Sequence, residues 1–478
     1  MTEPSEKMRL EKDSIGEKQI PADVFYGVQT ARAVENYAIS GMRAHPSLIH
    51  AFGMIKKAAA EANKKLGLLE PKKADAIISA AAEVSRGVWD EQFVVDVFQA
   101  GAGVSFHMNV NEVIANRATQ IIGGKLGEYL VHPNDHVNYG QSTNDVFPTG
   151  MRLGALLVLR ELYPVLTRLS EQLDQKAAEF HDVIKSGRTH LQDAVPLRLG
   201  QEFAAYSVTI QRCNEGLQAA AEFLRELGLG GSAVGTGINT HPGYRALAIA
   251  SLATISGERL LAASDMRYAM QSNYAIAAVS AALRNLACEV IRISNDLRLL
   301  ASGPNTGFAE INLPSLQPGS SIMPGKVNPV MPEVAAMVAF QVMGNDLAVA
   351  LAVQAGQLEL NVMMPTMSYS VMQSVTILTN MLRLFSDRCI QGITVNKSRC
   401  DFYAQSTVAL ATALNPYIGY ARAAEVAKEA VASGRSIIDI AREKKLLSEE
   451  EIAEVLNPLR MTEPQIPLNM DQSEETKP

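Results

Sequence analysis

Between residues 276 and 300 the apolar side chains Ile276, Val279, Leu283, Leu286, Val290, Ile293, Leu297 and Leu300 follow one another in alternating steps of three and four. A seam of that kind, held for more than three heptads, is satisfied only by a long helix lying along another long helix. At about 1.5 Å per residue the stretch spans roughly 40 Å. Leu159, Leu162, Leu166, Leu169, Leu173 and Ala177 form a second seam, and Val371, Val375, Leu378, Leu382, Phe385 and Cys389 a third. Segments 200–227 and 333–353 are Ala- and Leu-rich at helical spacing. Five long helices are therefore expected across 150–390, with no strand-like run among them. The fold class that follows is mainly all-α, an elongated bundle of long helices. Small residues crowd the other helix faces, as in "AIAAVSAAL" and "LAVALAVQAG". Helices apolar on most sides are buried on most sides, which predicts packing of several copies of the chain.

The ends read differently. Residues 1–145 hold shorter elements and more turns, and are expected to form an N-terminal domain. Residues 146–395 make the central bundle, and 396–478 a small helical C-terminal domain. There, "LLSEEEIAEVL" places Ser448 to cap a helix with glutamates in its first turn. The tail "NMDQSEETKP" is expected to fray. With 47% hydrophobic and 19% charged residues the chain has an ordinary globular composition. A net charge of −7 and no basic stripe argue against a nucleic-acid partner. The polar start "MTEPSEKMRLEKD" is not a secretory signal, and no run of 18 apolar residues predicts a membrane span. Four cysteines without a CxxC pair read as reduced, mostly buried thiols of a cytoplasmic protein.

Polar side chains collect in four segments: "GAGVSFHMNVNEVIANRA" (101–118), "GQSTNDVFPTG" (140–150), "SGRTHLQDAVP" (186–196) and "PGSSIMPGKVNP" (318–329). Any one of them has a plain structural reading, with Ser142 or Thr143 capping a following helix and Thr189 starting another. Four together, the last rich in glycine, point to a site, although they offer almost no carboxylate–histidine pair of the usual acid/base kind.

"GSSIMPGKVNP" resembles the signature loop of the aspartase/fumarase superfamily of lyases, and the other three segments match that family's remaining motifs in order. The resemblance runs from "GEKQIPADVFYGVQT" to "LNPLRMTEPQI". "KVNPVMPEV", "LQDAVPLRLGQEF" and "GQLELNVM" resemble the aspartate ammonia-lyases of the family more than its fumarases, where "NPTQ" is usual. It implies a homotetramer whose active sites are each shared between subunits, a small amino-acid substrate, and no organic cofactor; no residue is assigned as a metal ligand, and divalent-metal activation stays open. The reaction implied is a reversible anti elimination of ammonia, with fumarate as product from L-aspartate. Ser320 is implied as the base on a mobile loop, with Gly319 and Gly325 allowing its motion and Ile322 and Met323 as an apolar lid. Lys326, Asn328 and Thr189 resemble the anchors of the α-carboxylate, and Ser321 a donor at the substrate's other end. Ser142 and Thr143 resemble the donors to the β-carboxylate, where charge collects when Cβ loses its proton. Asn144 and His190 resemble the ligands of the leaving group.

One segment departs from the pattern. Where the family reads threonine and then asparagine, this chain has Val104 and His107. A carboxylate facing Val104 would lose a charge-assisted hydrogen bond of about 1.5–3 kcal/mol. Either Ser105 or His107 compensates, or the substrate carries a different group. The alternatives are therefore a carbon–nitrogen lyase for an amino acid with a non-carboxylate side chain, such as a trimethylammonia-lyase for a histidine betaine, and a fumarate hydratase. A non-catalytic relative of the crystallin kind is disfavoured by retention of Ser320, Lys326, Asn328, His190 and Ser142.

Overall fold

The computed structural model describes residues 7–468, so the expected fraying of the tail from Asn469 lies outside the described residues. Strands β1 (Met8–Asp13) and β2 (Gly16–Pro21) pair antiparallel near the start. Helices α1 (Val28–Asn36), α2 (Pro46–Lys65), α3 (Pro71–Ser85) and α4 (Val104–Ile121) follow. Then come α5 (Thr143–Glu179), the antiparallel pair β3 (Ile184–Thr189) and β4 (Gln192–Arg198), and α6 (Leu199–Glu222). Next are α7 (Tyr244–Ser256), α8 (Met266–Gln271), α9 (Tyr274–Leu300), α10 (Val330–Gln354) and α11 (Met364–Arg388).

All five expected long helices are present. The seam side chains of α9, from Ile276 to Leu300, are all buried, as are those of the third seam, from Val371 to Cys389, and the seam leucines of α5. Only Ala177 at the end of its seam is partly open. The hairpin β3–β4 falls inside the stretch expected to be free of strands. Thr189 accordingly ends a strand and starts no helix. Pro196 and a bulge at Gly187 break any helical period there, and a side chain at Gly187 would meet the Val195 carbonyl at 2.6 Å.

The chain forms two compact units. One comprises Met1–Pro164, Cys213–Cys288 and Val338–Asn380, the other Val165–Arg212, Glu289–Met337 and Met381–Pro478. In the first, Phe52 of α2, Phe106 of α4 and Phe147 of α5 meet edge to face at centroid distances of 5.0 to 6.4 Å. Gly103, at φ +82°, lets α4 begin against this cluster, since a Cβ there would sit 2.1 Å from the Phe147 ring. In the second unit, short helices from Asn415 to Val455 bury Leu410, Leu414, Val426, Ile440 and Ile452 together. Ser448 makes the expected capping box with Glu451.

Two cysteines, Cys389 and Cys400, are buried, and burial pushes both thiols up to about 12. Cys213 is half-buried and Cys288 exposed, so "mostly buried" held for only half of them. Helices α9 and α10 are long and apolar enough by length and composition to cross a membrane, unlike the sequence expectation. The apolar seam of α9 is spent inside the chain.

Candidate active site

Each unit carries its own share of the polar segments. In the first unit Val104 and Ser105 open α4 and line a cavity of about 590 Å³ that also takes in Arg32 and His132. Val104 is 42% exposed and Ser105 nearly buried. Two turns later the same segment changes character. Asn109 donates to the Gln92 carbonyl and accepts from the Val94 N–H. Glu112 accepts from the N–H groups of Gly27, Gln29 and Thr30 and from the Thr30 hydroxyl. Asn116 holds the Phe25 carbonyl and the Gly127 N–H. These polar groups satisfy buried loop backbone that would otherwise lack partners, so they are structural.

His107 is also buried, and both of its ring nitrogens meet side chains of the same unit. Its Nε2 lies 2.7 Å from Lys56 Nζ and its Nδ1 2.7 Å from Thr143 Oγ1. Burial pulls the imidazolium well below its ordinary range, with the Lys56 charge adding to the effect. The ring is therefore neutral. Lys56 has no exposed surface and donates further to Asn138 Oδ1 and Gln141 Oε1.

The start of α5 is built as a cap. The Ser142 Oγ accepts from the Asn144 N–H at 3.2 Å, and the Ser142 N–H donates to Asp145 Oδ1 at 2.9 Å. The capping reading of Ser142 therefore holds. Thr143 and Asn144 sit half-buried in the first turn, where unpaired helix N–H groups favour negative charge. The Asn144 amide donates to the Ala233 carbonyl, leaving its oxygen as the free end. Asp145 beneath them is fully buried. Desolvation raises its pKa to about 6, against the pull of the Ser142 and Gly230 N–H groups.

In the second unit β3 and β4 are joined by only two residues, His190 and Leu191, at φ +57° and +59°. A two-residue turn with both central φ values positive favours Asn-Gly. Side chains held there cost about 1–2 kcal/mol each, strain of the kind that persists where a site needs it. The turn stands on an ion-pair anchor. Arg188 makes two parallel 3.0 Å bonds to the fully buried Glu310 and stacks 4.1 Å over Phe308. Lys185 adds contacts of 3.4 Å to Glu310 and 3.1 Å to Glu202. Thr189 and His190 project from this base, exposed.

The 318–329 loop, also in the second unit, closes on itself. The Ser320 N–H donates to the Lys326 carbonyl at 3.0 Å, and the Lys326 N–H to the Met323 carbonyl at 3.2 Å. Gly319 permits this at φ +88°, because a Cβ there would lie 1.8 Å from the Lys326 oxygen. The Ser320 Oγ accepts the N–H groups of Ile322 at 3.3 Å and Met323 at 3.1 Å. Ser321, Ile322, Met323 and Lys326 are exposed, and Asn328 half-buried. The expected apolar lid is thus open on this chain, with Ile322 83% exposed. Among the described residues no cluster of His, Cys, Asp or Glu could hold a metal ion.

Sequence reasoning missed Lys56, Asp145 and the Arg188–Glu310 anchor. Lys56 had a signal. It sits on the helix face of Phe52, Ile55, Ala59 and Asn63, where every neighbour is buried.

The chain is mainly helical and carries a glycine-framed serine loop, a strained histidine turn and a capped helix start, and its class is that of a lyase. Residues 16–344 match the family described as Lyase, and residues 410–463 that described as Fumarase C C-terminus. The chain is 48% identical to an aspartate ammonia-lyase of Bacillus subtilis, over 98% of each chain. It is 47% identical to a class II fumarate hydratase of Halobacterium salinarum, over 96% of this chain and 98% of that one. A crystal structure of a fumarate lyase:delta crystallin from Brucella melitensis bound to cobalt superposes with a TM-score of 0.93 at 47% identity, covering 96% of this chain and all of that one. The chain belongs to the aspartase/fumarase superfamily of lyases.

Proposed function

We propose that the protein is an aspartate ammonia-lyase, eliminating ammonia from L-aspartate to give fumarate. Ser320, as alkoxide, takes the Cβ proton. The freed electron pair passes through the β-carboxylate as a dianion and then forms the Cα–Cβ double bond. The C–N bond breaks, and the nitrogen leaves with its electron pair as ammonia. Ser142 and Thr143 donate to the β-carboxylate, where negative charge grows in the transition state. Lys326, Asn328 and Thr189 hold the α-carboxylate, Ser321 adds a donor, and Asn144 and His190 receive the departing amine.

The observation that carries this reading is the Ser320 oxygen, which already accepts two backbone N–H groups. Donors aimed at an oxygen favour its charged form and lower its pKa. Similarity to aspartate ammonia-lyases supports the substrate. The Ser320→Ala variant is expected to lose about 10²–10⁴-fold in kcat while keeping its fold and assembly. Ammonia release from millimolar L-aspartate by the wild type is the companion measurement. Wild-type activity in Ser320→Ala rejects that base, and no turnover of aspartate rejects that substrate.

The half-exposed Val104 favours a second reading, a carbon–nitrogen lyase whose substrate carries a non-carboxylate side chain. A panel holding L-aspartate, a histidine betaine and fumarate separates the two, and malate formed from fumarate would instead mark a hydratase.

We further propose a homotetramer with sites shared between subunits. Along α10, Met337, Phe340, Leu347 and Leu351 recur at helical spacing and are 54–62% exposed. A contiguous apolar stripe of this kind is the mark of a protein interface.

A further inference from the structure

The groups around Lys56 are all spoken for, and their directions can be read. The Asn138 amide nitrogen donates to the Gln141 carbonyl, and the Gln141 amide nitrogen to the carbonyls of Val137 and Tyr139. Both side-chain oxygens must therefore face Lys56, at 3.0 and 2.9 Å, and Lys56 donates to both. Its third contact is His107 Nε2 at 2.7 Å. The opposite ring nitrogen, Nδ1, meets Thr143 Oγ1 at the same distance.

A neutral imidazole has one donor nitrogen and one acceptor, so the two contacts are coupled. An ammonium at Lys56 gives its third N–H to Nε2. The ring proton then sits on Nδ1 and points at Thr143 Oγ1, and the threonine's own proton must turn elsewhere. An amine at Lys56 still donates to Asn138 and Gln141 but accepts from Nε2–H, so both histidine contacts reverse and the Thr143 hydroxyl turns inward to Nδ1.

We propose that Lys56 and His107 are positioning residues that set the direction of the Thr143 hydroxyl: Lys56 donates to Nε2, His107 donates from Nδ1 to Oγ1, and the Thr143 proton is released toward the substrate's carboxylate. Three acceptors within 3.0 Å complete the shell of an ammonium. Burial pulls that ammonium down, and the Asp145 carboxylate opposes the pull. The arrangement answers the absence of a hydroxyl at position 104. With one donor missing, the remaining threonine is kept from spending its proton inside the protein. The inference rests on Thr143 binding substrate carboxylate, but its first test needs no substrate, so failure of the elimination chemistry is separable from failure of the relay.

Histidine labelled with ¹⁵N in the full-length enzyme reports the tautomer through two-bond ¹H–¹⁵N couplings. His107 is assigned by the signal lost in His107→Asn. The Nδ1–H tautomer at assay pH is expected, and the Nε2–H tautomer in active enzyme overturns the proposal. Kinetics supply the second arm. In His107→Asn the amide nitrogen can take the Nδ1 position and donate to Thr143, so kcat is expected within about threefold of wild type, less than one hydrogen bond's worth. His107→Phe keeps the ring's shape without a donor. It is expected to lower kcat about 10–100-fold with KM changed little, the pattern of a contact felt mainly in the transition state. Full activity in His107→Phe also overturns the proposal, and if that variant does not fold the tautomer measurement on wild type still decides.

Discussion

A serine becomes a base only if its oxygen can lose its own proton and hold the resulting negative charge, and in this loop backbone N–H groups stabilise that charge. The geometry depends on Gly319. With φ at +88° and the Lys326 oxygen 1.8 Å from any added Cβ, Gly319→Ala must displace the chain that aims the Ile322 and Met323 N–H groups. Turnover is expected to fall by about 10²-fold or more, as for loss of preorganised donors, with little change in thermal stability because the loop is exposed. Steady-state kinetics beside a melting curve separate the two effects. Asp145 gives a pH prediction. Its folded pKa of about 6 lies above the ordinary 3.8, so the folded chain takes up this proton before the unfolded chain does. The stability it contributes is full below about pH 4 and is lost as pH rises through about 6, a difference of about 3 kcal/mol. Denaturation of wild type and Asp145→Asn across that window should show the gap between them shifting by that order in favour of wild type as pH falls. No such shift would mean the carboxylate stays ionised throughout.

Elements differ in how plainly the sequence announces them. The seams of α5, α9 and α11 were legible because burial repeats along each helix with a fixed period, a property local enough to read without a fold. Leu286→Ala, on the fully buried seam of α9, is expected to cost about 2–5 kcal/mol by chemical denaturation. The β3–β4 hairpin was illegible because its bulge at Gly187 breaks the alternation and its turn lacks the glycine that marks such turns. In segment 101–118 the sequence did not separate structural polar groups from candidate site residues. From Asn109 onward its polar groups hold loop backbone from distant parts of the chain, which no local pattern reveals. Lys56 was passed over because a lysine is presumed solvated until its acceptors are seen. The hairpin's anchor carries its own forecast. Glu310→Gln leaves the Lys185 and Arg188 cations without a full counter-charge in a buried place, a change expected to destabilise by about 3–5 kcal/mol. A loss of turnover steeper than the loss of stability, in folded protein, would show that the same pair also holds Thr189 and His190 in place.

At the scale of the whole molecule, the lone chain leaves one of its most apolar helices uncovered. Phe340→Asp puts a charge in the middle of the α10 stripe and is expected to shift the protein toward smaller species by light scattering, with activity lost in proportion. An unchanged mass would show that another face joins the copies. The stripe also bears on how the protein comes to exist at all. In the proposed assembly, a newly completed chain carries it bare, and its shelter comes from meeting a second copy, a step whose speed rises with the square of concentration. Renaturation from denaturant should therefore show an optimum: too dilute, and encounters come too seldom; too concentrated, and sticky intermediates precipitate before they find the correct match.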